Sequence, residues 1–333
     1  MIASNDFGEF ELNLTTLPTK LRFSHVTYKT FEQTIKNSED IIIELIPAQL
    51  QLGVLNIEQL TGRSLLTAAL NEFKLRENEM FYGNAFSRIT HSINNEPYYL
   101  SEVFLDVKMN PKEVVGWIAK QNRYANFEVS TKSIQISSNY EFAPILNKEI
   151  MSPAQLKDYE ITTQQYIAHE EQRIAVIFCK YVGKSNGPYT NSIYYVGMNN
   201  HKIYRVDIGF QNLYIPSESN ENFEMFPMQR TITIIFAHFN STVPLIQSIA
   251  TKMSIDLRNS KGKNKVESNT LFLFYELNET LKDQKYNEKS KAIKQTKPYD
   301  LDFWKNNPII RQTPLEENFT KVIESKSAFG KQK

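Results

Sequence analysis

The 333 residues contain one cysteine, Cys179. A single thiol excludes an internal disulfide and a thiolate zinc site. Glycine is scarce, with 11 residues, which argues against a collagen-like chain and against phosphate-cradling loops. No charge of one sign dominates: 38 Lys and Arg stand against 37 Asp and Glu, a formal net charge of +1. Nucleic acid is therefore not an expected partner. No run approaches ~18 apolar residues, so no transmembrane helix is expected. The opening Met1-Ile-Ala-Ser-Asn-Asp-Phe-Gly8 lacks the basic and apolar regions of a signal peptide.

The chain does have apolar residues, 41%, with 21 Phe and 17 Tyr. That suffices for a sizeable core and favours strands. The length suggests roughly two to three domains.

Over residues 1–57 the pattern is one of short strands. Phe10, Leu12 and Leu14 alternate with Glu9, Glu11 and Asn13, and Leu21–Ser24, Tyr28–Phe31 and Ile41–Leu45 follow. Turn-punctuated strands at this spacing predict a β-sandwich, closed by an extended run from Leu50 to Ile57. Residues 58–80 read as a helical connector. Leu65, Leu66, Ala69, Leu70 and Phe73 recur at helical spacing between Thr61 and Arg76.

Residues 81–277 read as an antiparallel sheet domain with an irregular insert at 117–168. Asn94-Asn95 and Asn199-Asn200 each separate two strand patterns and tolerate the positive φ of a tight hairpin. In the second hairpin, Tyr204, Val206, Ile208 and Phe210 are expected on one face, opposite Arg205 and Asp207. The insert holds a helix start at Ser152-Pro153. Residues 278–303 read as a lysine-rich linker. Residues 304–333 end in a docking helix. Thr313-Pro314-Leu315-Glu316 is a capping box, and Leu315, Phe319, Val322 and Ile323 make its apolar stripe.

Sequence motifs for chemistry fail on physical grounds. Gly183-Lys184-Ser185-Asn186-Gly187 matches G-x-S-x-G, but a nucleophile elbow needs a helix after the serine. A strand pattern follows instead, so a polar hairpin tip is expected. Phe178 stands where a P-loop needs its first glycine. His169-Glu170-Glu171 has Arg173 where a zincin needs its second histidine. His25, His91, His169, His201 and His238 lack partners at ligand spacing and read as half-exposed strand or turn residues. Cys179, in Ile174-Ala-Val-Ile-Phe-Cys179, reads as a small buried side chain on a strand. No catalytic, cofactor-binding or metal-binding residues are therefore expected. The candidate contact residues are basic: Arg258, Lys261, Lys263 and Lys265 form a loop tip suited to an anionic membrane surface.

Asn5–Leu12, then Leu21-Arg22-Phe23-Ser24-His25-Val26-Thr27-Tyr28, then Ile43–Leu45 and Leu50–Leu55, follow a known order. The segment resembles the second half of the carboxypeptidase-like regulatory domain, a transthyretin-like β-sandwich. Thr27 replaces the usual glycine before Tyr28. Phe81-Tyr82, Tyr98–Glu102, Trp304 and Thr313–Glu316 are similar to exported envelope proteins of Gram-negative bacteria that carry that domain. The central part of those proteins is likened to the curved sheet of lipoprotein carriers.

The resemblance implies a mainly β (α+β) fold: a partial transthyretin-like β-sandwich, then a larger curved antiparallel sheet with a few packed helices. It implies no peptidase and a periplasmic or outer-membrane-associated setting, and the failed motifs leave no cofactor expected. It also leads to the expectation that the first strands of the sandwich, with a signal peptide, precede Met1, or else that the chain is a truncated remnant. Three functions stay open: a non-enzymatic envelope module contacting a protein or glycan, a lipid or lipoprotein carrier, and an undetected hydrolase.

Overall fold

A computed structural model describes residues 2–5, 7–38, 40–48, 61–126, 150–169, 172–184, 186–213, 224–225, 227–237, 245–259, 262–287, 299–307, 309–325 and 329. The chain folds as β1 (Thr19–His25), β2 (Tyr28–Ile35), α1 (Gly62–Leu75), β3 (Phe81–Ile93), β4 (Glu96–Met109) and β5 (Val114–Asn126). A 3-10 turn (Pro153–Asp158) leads to β6 (Tyr159–His169), β7 (Gln172–Tyr181), β8 (Tyr189–Gly197) and β9 (Ile203–Gln211). After β10 (Glu224–Met225) come β11 (Gln229–Ala237), β12 (Leu245–Asn259) and β13 (Gly262–Leu277). A second 3-10 turn (Glu279–Leu281), α2 (Leu301–Asn306) and α3 (Pro314–Ser325) complete it.

The fold is mainly β. One antiparallel sheet runs β5-β4-β3-β13-β12-β11-β9-β8-β7-β6, with β10 against β12. Two hairpin runs are fused where β13 pairs with β3. One line of paired residues crosses the sheet on one face: Val103, Ser87, Phe272, Ile249, Ile234, Val206, Tyr194 and Ile177. Its apolar members are buried in a single cluster. We call this the inner face.

Helix α1 lies on the inner face. Thr61 caps it, accepting a hydrogen bond from the Ser64 backbone N–H at 3.2 Å. Leu65, Leu66, Ala69, Leu70 and Phe73 are buried in the same cluster as Trp117 of β5 and Ala175 of β7. A 14-residue helix spans about 21 Å, whereas ten strands side by side span about 43 Å. The helix is therefore too short to cover the whole sheet, and it packs chiefly on β6, β7, β8 and the Pro153–Asp158 turn. The helix read as a connector is buried along one side in that core.

The outer face has two separate covers. The β1–β2 hairpin lies on the β6–β9 half, where Val26 packs with Ile167, Ile174, Val176, Tyr195 and Tyr204. Residues 46–48 stitch it on. Ala48 donates its N–H to Thr27 O at 2.9 Å, and Ala168 of β6 donates to Ala48 O at 3.1 Å. The C-terminal helices lie on the β4–β5 edge, where Phe319, Ile323 and Phe329 pack on Leu100 and Ala125. The N-terminal segment runs beside them through a parallel bridge between Ala3 and Ile310.

Several sequence expectations are corrected. Among the described residues, 1–48 hold two strands rather than the four or five of a partial sandwich. The alternation of Ile41, Ile43 and Leu45 with exposed Ile42 and Glu44 is real. Alternation only reports one covered face, and a strand also needs a neighbouring backbone. Leu50–Ile57 lies outside the described residues. The expected irregular stretch at 117–168 begins inside β5 and ends in β6, because Trp117 and Tyr166 lie on long paired strands. Ser152-Pro153 starts a 3-10 turn, with Gln155 Oε1 accepting from the Ser152 backbone N–H at 2.8 Å.

The Asn94-Asn95 turn is as expected, with φ of 53° and 67°. At the second turn, however, the positive φ of 54° falls on His201. Loop closure there runs from Gly197 to Lys202, so the loop is longer than the Asn-Asn pair. A bulge at Tyr195/Val196 also moves Tyr204 to the outer face, away from Val206 and Ile208. In α3, Phe319 and Ile323 are buried, whereas Leu315 and Val322 are 46% and 37% exposed. The stripe is narrower than its spacing suggested, because one sheet edge receives it.

Candidate functional site

Two constellations stand out, one on each face of the sheet. On the inner face, α1 is anchored at its start and packed along its length. Arg63 donates to Leu156 O at 2.9 Å and to Tyr159 O at 2.7 Å. Beneath it lie Cys179 and Tyr194, both fully buried. Burial pushes the Cys179 thiol up to about 12, so it stays protonated and behaves as an apolar side chain. Burial likewise raises the Tyr194 phenol, whose oxygen accepts from the Met151 backbone N–H at 3.1 Å. The surface under α1 is thus largely apolar, although Ser192, opposite Cys179, buries a hydroxyl that has no partner among the described residues.

On the outer face, Arg123, Glu102 and Arg88 form one line across β5, β4 and β3. Arg88 Nε donates to Glu102 Oε1 at 2.6 Å, and Arg123 Nε donates to Glu102 Oε2 at 2.5 Å. All three side chains are buried. Burial pushes the Glu102 pKa up, but the charges of Arg123 and then Arg88, with their hydrogen bonds, outweigh it and hold it below the usual value. Arg88 also donates to Ile310 O at 3.1 Å, and its Nη1 stands 3.4 Å from Glu316 of α3. The Arg123 guanidinium lies 4.2 Å from the Trp304 ring centroid, a cation–π contact. Between this floor and the C-terminal helices is a cavity of about 270 Å³.

The sequence reading did not single out Arg88, Glu102 or Arg123. A strict two-residue hairpin at Asn94-Asn95 would set Arg88 opposite Ser101. A bulge at His91/Ser92 advances the pairing by one and sets it opposite Glu102. No local signal marked them, because β4 and β5 carry other charges, among them Asp106, Lys108 and Lys120.

The expected basic tip lies on the β12–β13 hairpin, and Lys261 is outside the described residues. Arg258 pairs with Lys263 in the ladder, and with Glu224 across β10. Lys263 Nζ is 2.8 Å from Asp256, and Lys265 Nζ is 2.5 Å from Glu267. The positive charge of the tip is therefore interleaved with carboxylates. The tip is also tied to the β3–β4 turn, where Asn94 donates its backbone N–H to Lys265 O at 2.8 Å. Ser185 falls outside the described residues, between β7 and β8, and these strands pair antiparallel. His91 departs from its expected exposure. It is buried and stacks on Tyr99 with ring centroids 4.9 Å apart. His169 and His238 have no described side chain.

Comparison with known proteins gives only loose structural likenesses. No family model matches the chain, and no curated protein matches it. Among solved structures it is similar to a LolA superfamily protein from Nitrosomonas europaea, at 11% identity and a TM-score of 0.24, covering 68% of this chain and 98% of that one. It is similar to a DUF1329 family protein from Desulfovibrio piger at 10% identity and a TM-score of 0.21, covering 67% and 97%. MucB in complex with MucA(peri) follows at 9% and 0.19, covering 62% and 92%. Superpositions this loose transfer no function to the chain.

Proposed function

We propose that this is a non-enzymatic binding protein of the cell envelope, and that the inner face of its sheet receives one acyl chain in exchange for α1. The observation that supports this is the single apolar cluster that runs from β5 to β7 and takes in the buried side of α1. Four large side chains and Ala69 hold α1 there, worth roughly 6–12 kcal/mol if each large one contributes ~1.5–3 kcal/mol. A chain of about 14 carbons, at ~0.8 kcal/mol per CH₂, is worth about 11 kcal/mol. The two occupants are therefore closely matched, and a tethered helix can yield to a lipid without large net cost. The envelope setting belongs to this proposal and is supported by the resemblance carried by Tyr98–Glu102 and Thr313–Glu316.

The test is lipid extraction and mass spectrometry of the purified chain, with titration of a fluorescent fatty acid. One acyl species per chain, with tighter uptake by Phe73→Ala because α1 competes less, is the expected result. Absence of both co-purified lipid and saturable uptake would overturn the reading. Hydrolysis lost in Ser185→Ala would replace it with an enzyme.

A further inference from the structure

We propose that α2 and α3 form a reversible cover, which opens off the outer face of β3–β5 while the sheet stays folded. The inference rests on the joint beneath these helices and is independent of the acyl site. The cover is lightly buried. Among the described residues α2 buries none, and α3 buries Phe319, Thr320 and Ile323, whereas most of β4 beneath them is buried. A segment opens ahead of global unfolding when its opening breaks few apolar contacts.

The joint is incompletely closed. The cavity of about 270 Å³ lies within it, so part of each facing surface has no packing partner. Two polar atoms at the joint, the Trp304 indole N–H and Gln121 Oε1, are buried with no partner among the described residues. Gln121 stands opposite Phe104 in the ladder, and the Trp304 ring is centred 5.3 Å from Phe104. Buried polar atoms left unpaired are costly, and water reaches both once the helices lift.

The floor is also charged, with Arg88 and Arg123 only 6% and 7% exposed. Each arginine is held by one oxygen of Glu102, a contact made wholly within the sheet. Opening removes only what the cover adds. Arg88 loses its bond to Ile310 O and its pairing with Glu316, and Arg123 loses its contacts with the Trp304 and Phe329 rings. Water hydrates the freed guanidinium groups, so this floor costs less to uncover than an apolar one of equal area.

The test is maleimide labelling of Ala125→Cys, whose site packs with Phe319, Ile323 and Phe329. Native Cys179, buried in the core with α1, is the internal control for opening of the sheet itself. The thiol at position 125 is expected to label at least tenfold faster than Cys179. Glu316→Gln keeps the capping box but loses the charge that faces Arg88. Added to Ala125→Cys, it is expected to speed labelling at 125 several-fold and leave Cys179 unchanged. Hydrogen exchange of the unaltered full chain checks that the new cysteine did not create the opening. Amides of α2 and α3 are expected to exchange at least tenfold faster than those of β4. Equal labelling at the two thiols, or α3 amides as protected as those of β4, overturns the proposal. Fast exchange in α3 with a slow thiol at 125 means fraying in place, and overturns it too.

Discussion

Arg88 and Glu102 stand directly opposite each other on neighbouring strands and meet at 2.6 Å, on a face that the C-terminal helices cover. With Arg123 they make a buried triad in which one carboxylate pairs with both guanidinium groups, Glu316 standing as a second partner of Arg88. Removing one partner of a buried pair leaves an uncompensated charge, at a cost of ~3–5 kcal/mol. Glu102→Gln is therefore expected to lower the urea-unfolding free energy by that amount. Replacing all three by apolar residues of similar size should restore most of it.

The same carboxylate sets an acid limb. Its folded pKa lies below the ordinary value. Its contribution is therefore complete above the unfolded value of about 4.3 and is lost as pH falls through the folded one. Unfolding free energies measured from pH 5 downward should fall more steeply in the wild type than in the apolar triple variant.

His91 acts in a higher window. Burial holds its pKa at about 4, against an ordinary 6.5, so the unfolded chain takes the proton first. Stability should be full above about pH 6.5 and decline toward pH 4, with a slope of at most ~1.4 kcal/mol per pH unit. His91→Phe should remove that slope between pH 6.5 and 4 in urea titrations. An unchanged slope would assign it to other groups.

Helix α3 separates buried from exposed apolar residues. Ile323 is fully buried on Leu100, while Val322 is 37% exposed. Ile323→Ala should cost about 2–5 kcal/mol, and Val322→Ala under about 0.5 kcal/mol. Thermal melts of the two variants should differ plainly. Equal melts would mean that the helix does not hold to the sheet edge.

Gly83 permits the close approach of β3 to β13. A Cβ there would meet the Glu276 carbonyl oxygen and the Phe274 ring, beside the bulge at Phe274/Glu276. Gly83→Ala should cost ~1–3 kcal/mol through forced backbone shifts, read as a lowered urea midpoint.

What the sequence determined by itself was local. The period of Leu66, Ala69, Leu70 and Phe73, with Thr61 ahead of it, specified α1 and its buried side. Asn94-Asn95 specified a tight turn, because those side chains tolerate positive φ. Cys179 among β-branched neighbours specified a buried thiol on a strand. What only the tertiary structure decided was which residues meet across the sheet. The bulges at His91/Ser92 and Tyr195/Val196 shift pairing by one residue, bringing Glu102 to Arg88 and turning Tyr204 outward. A shift of one reverses the face of everything beyond it. The period-two pattern of a single strand does not show where its partner steps. The two covers of the outer face, β1–β2 and the C-terminal helices, come from opposite ends of the chain. Their landing places were decided by long-range packing, which also took Arg88, Glu102 and Arg123 out of water.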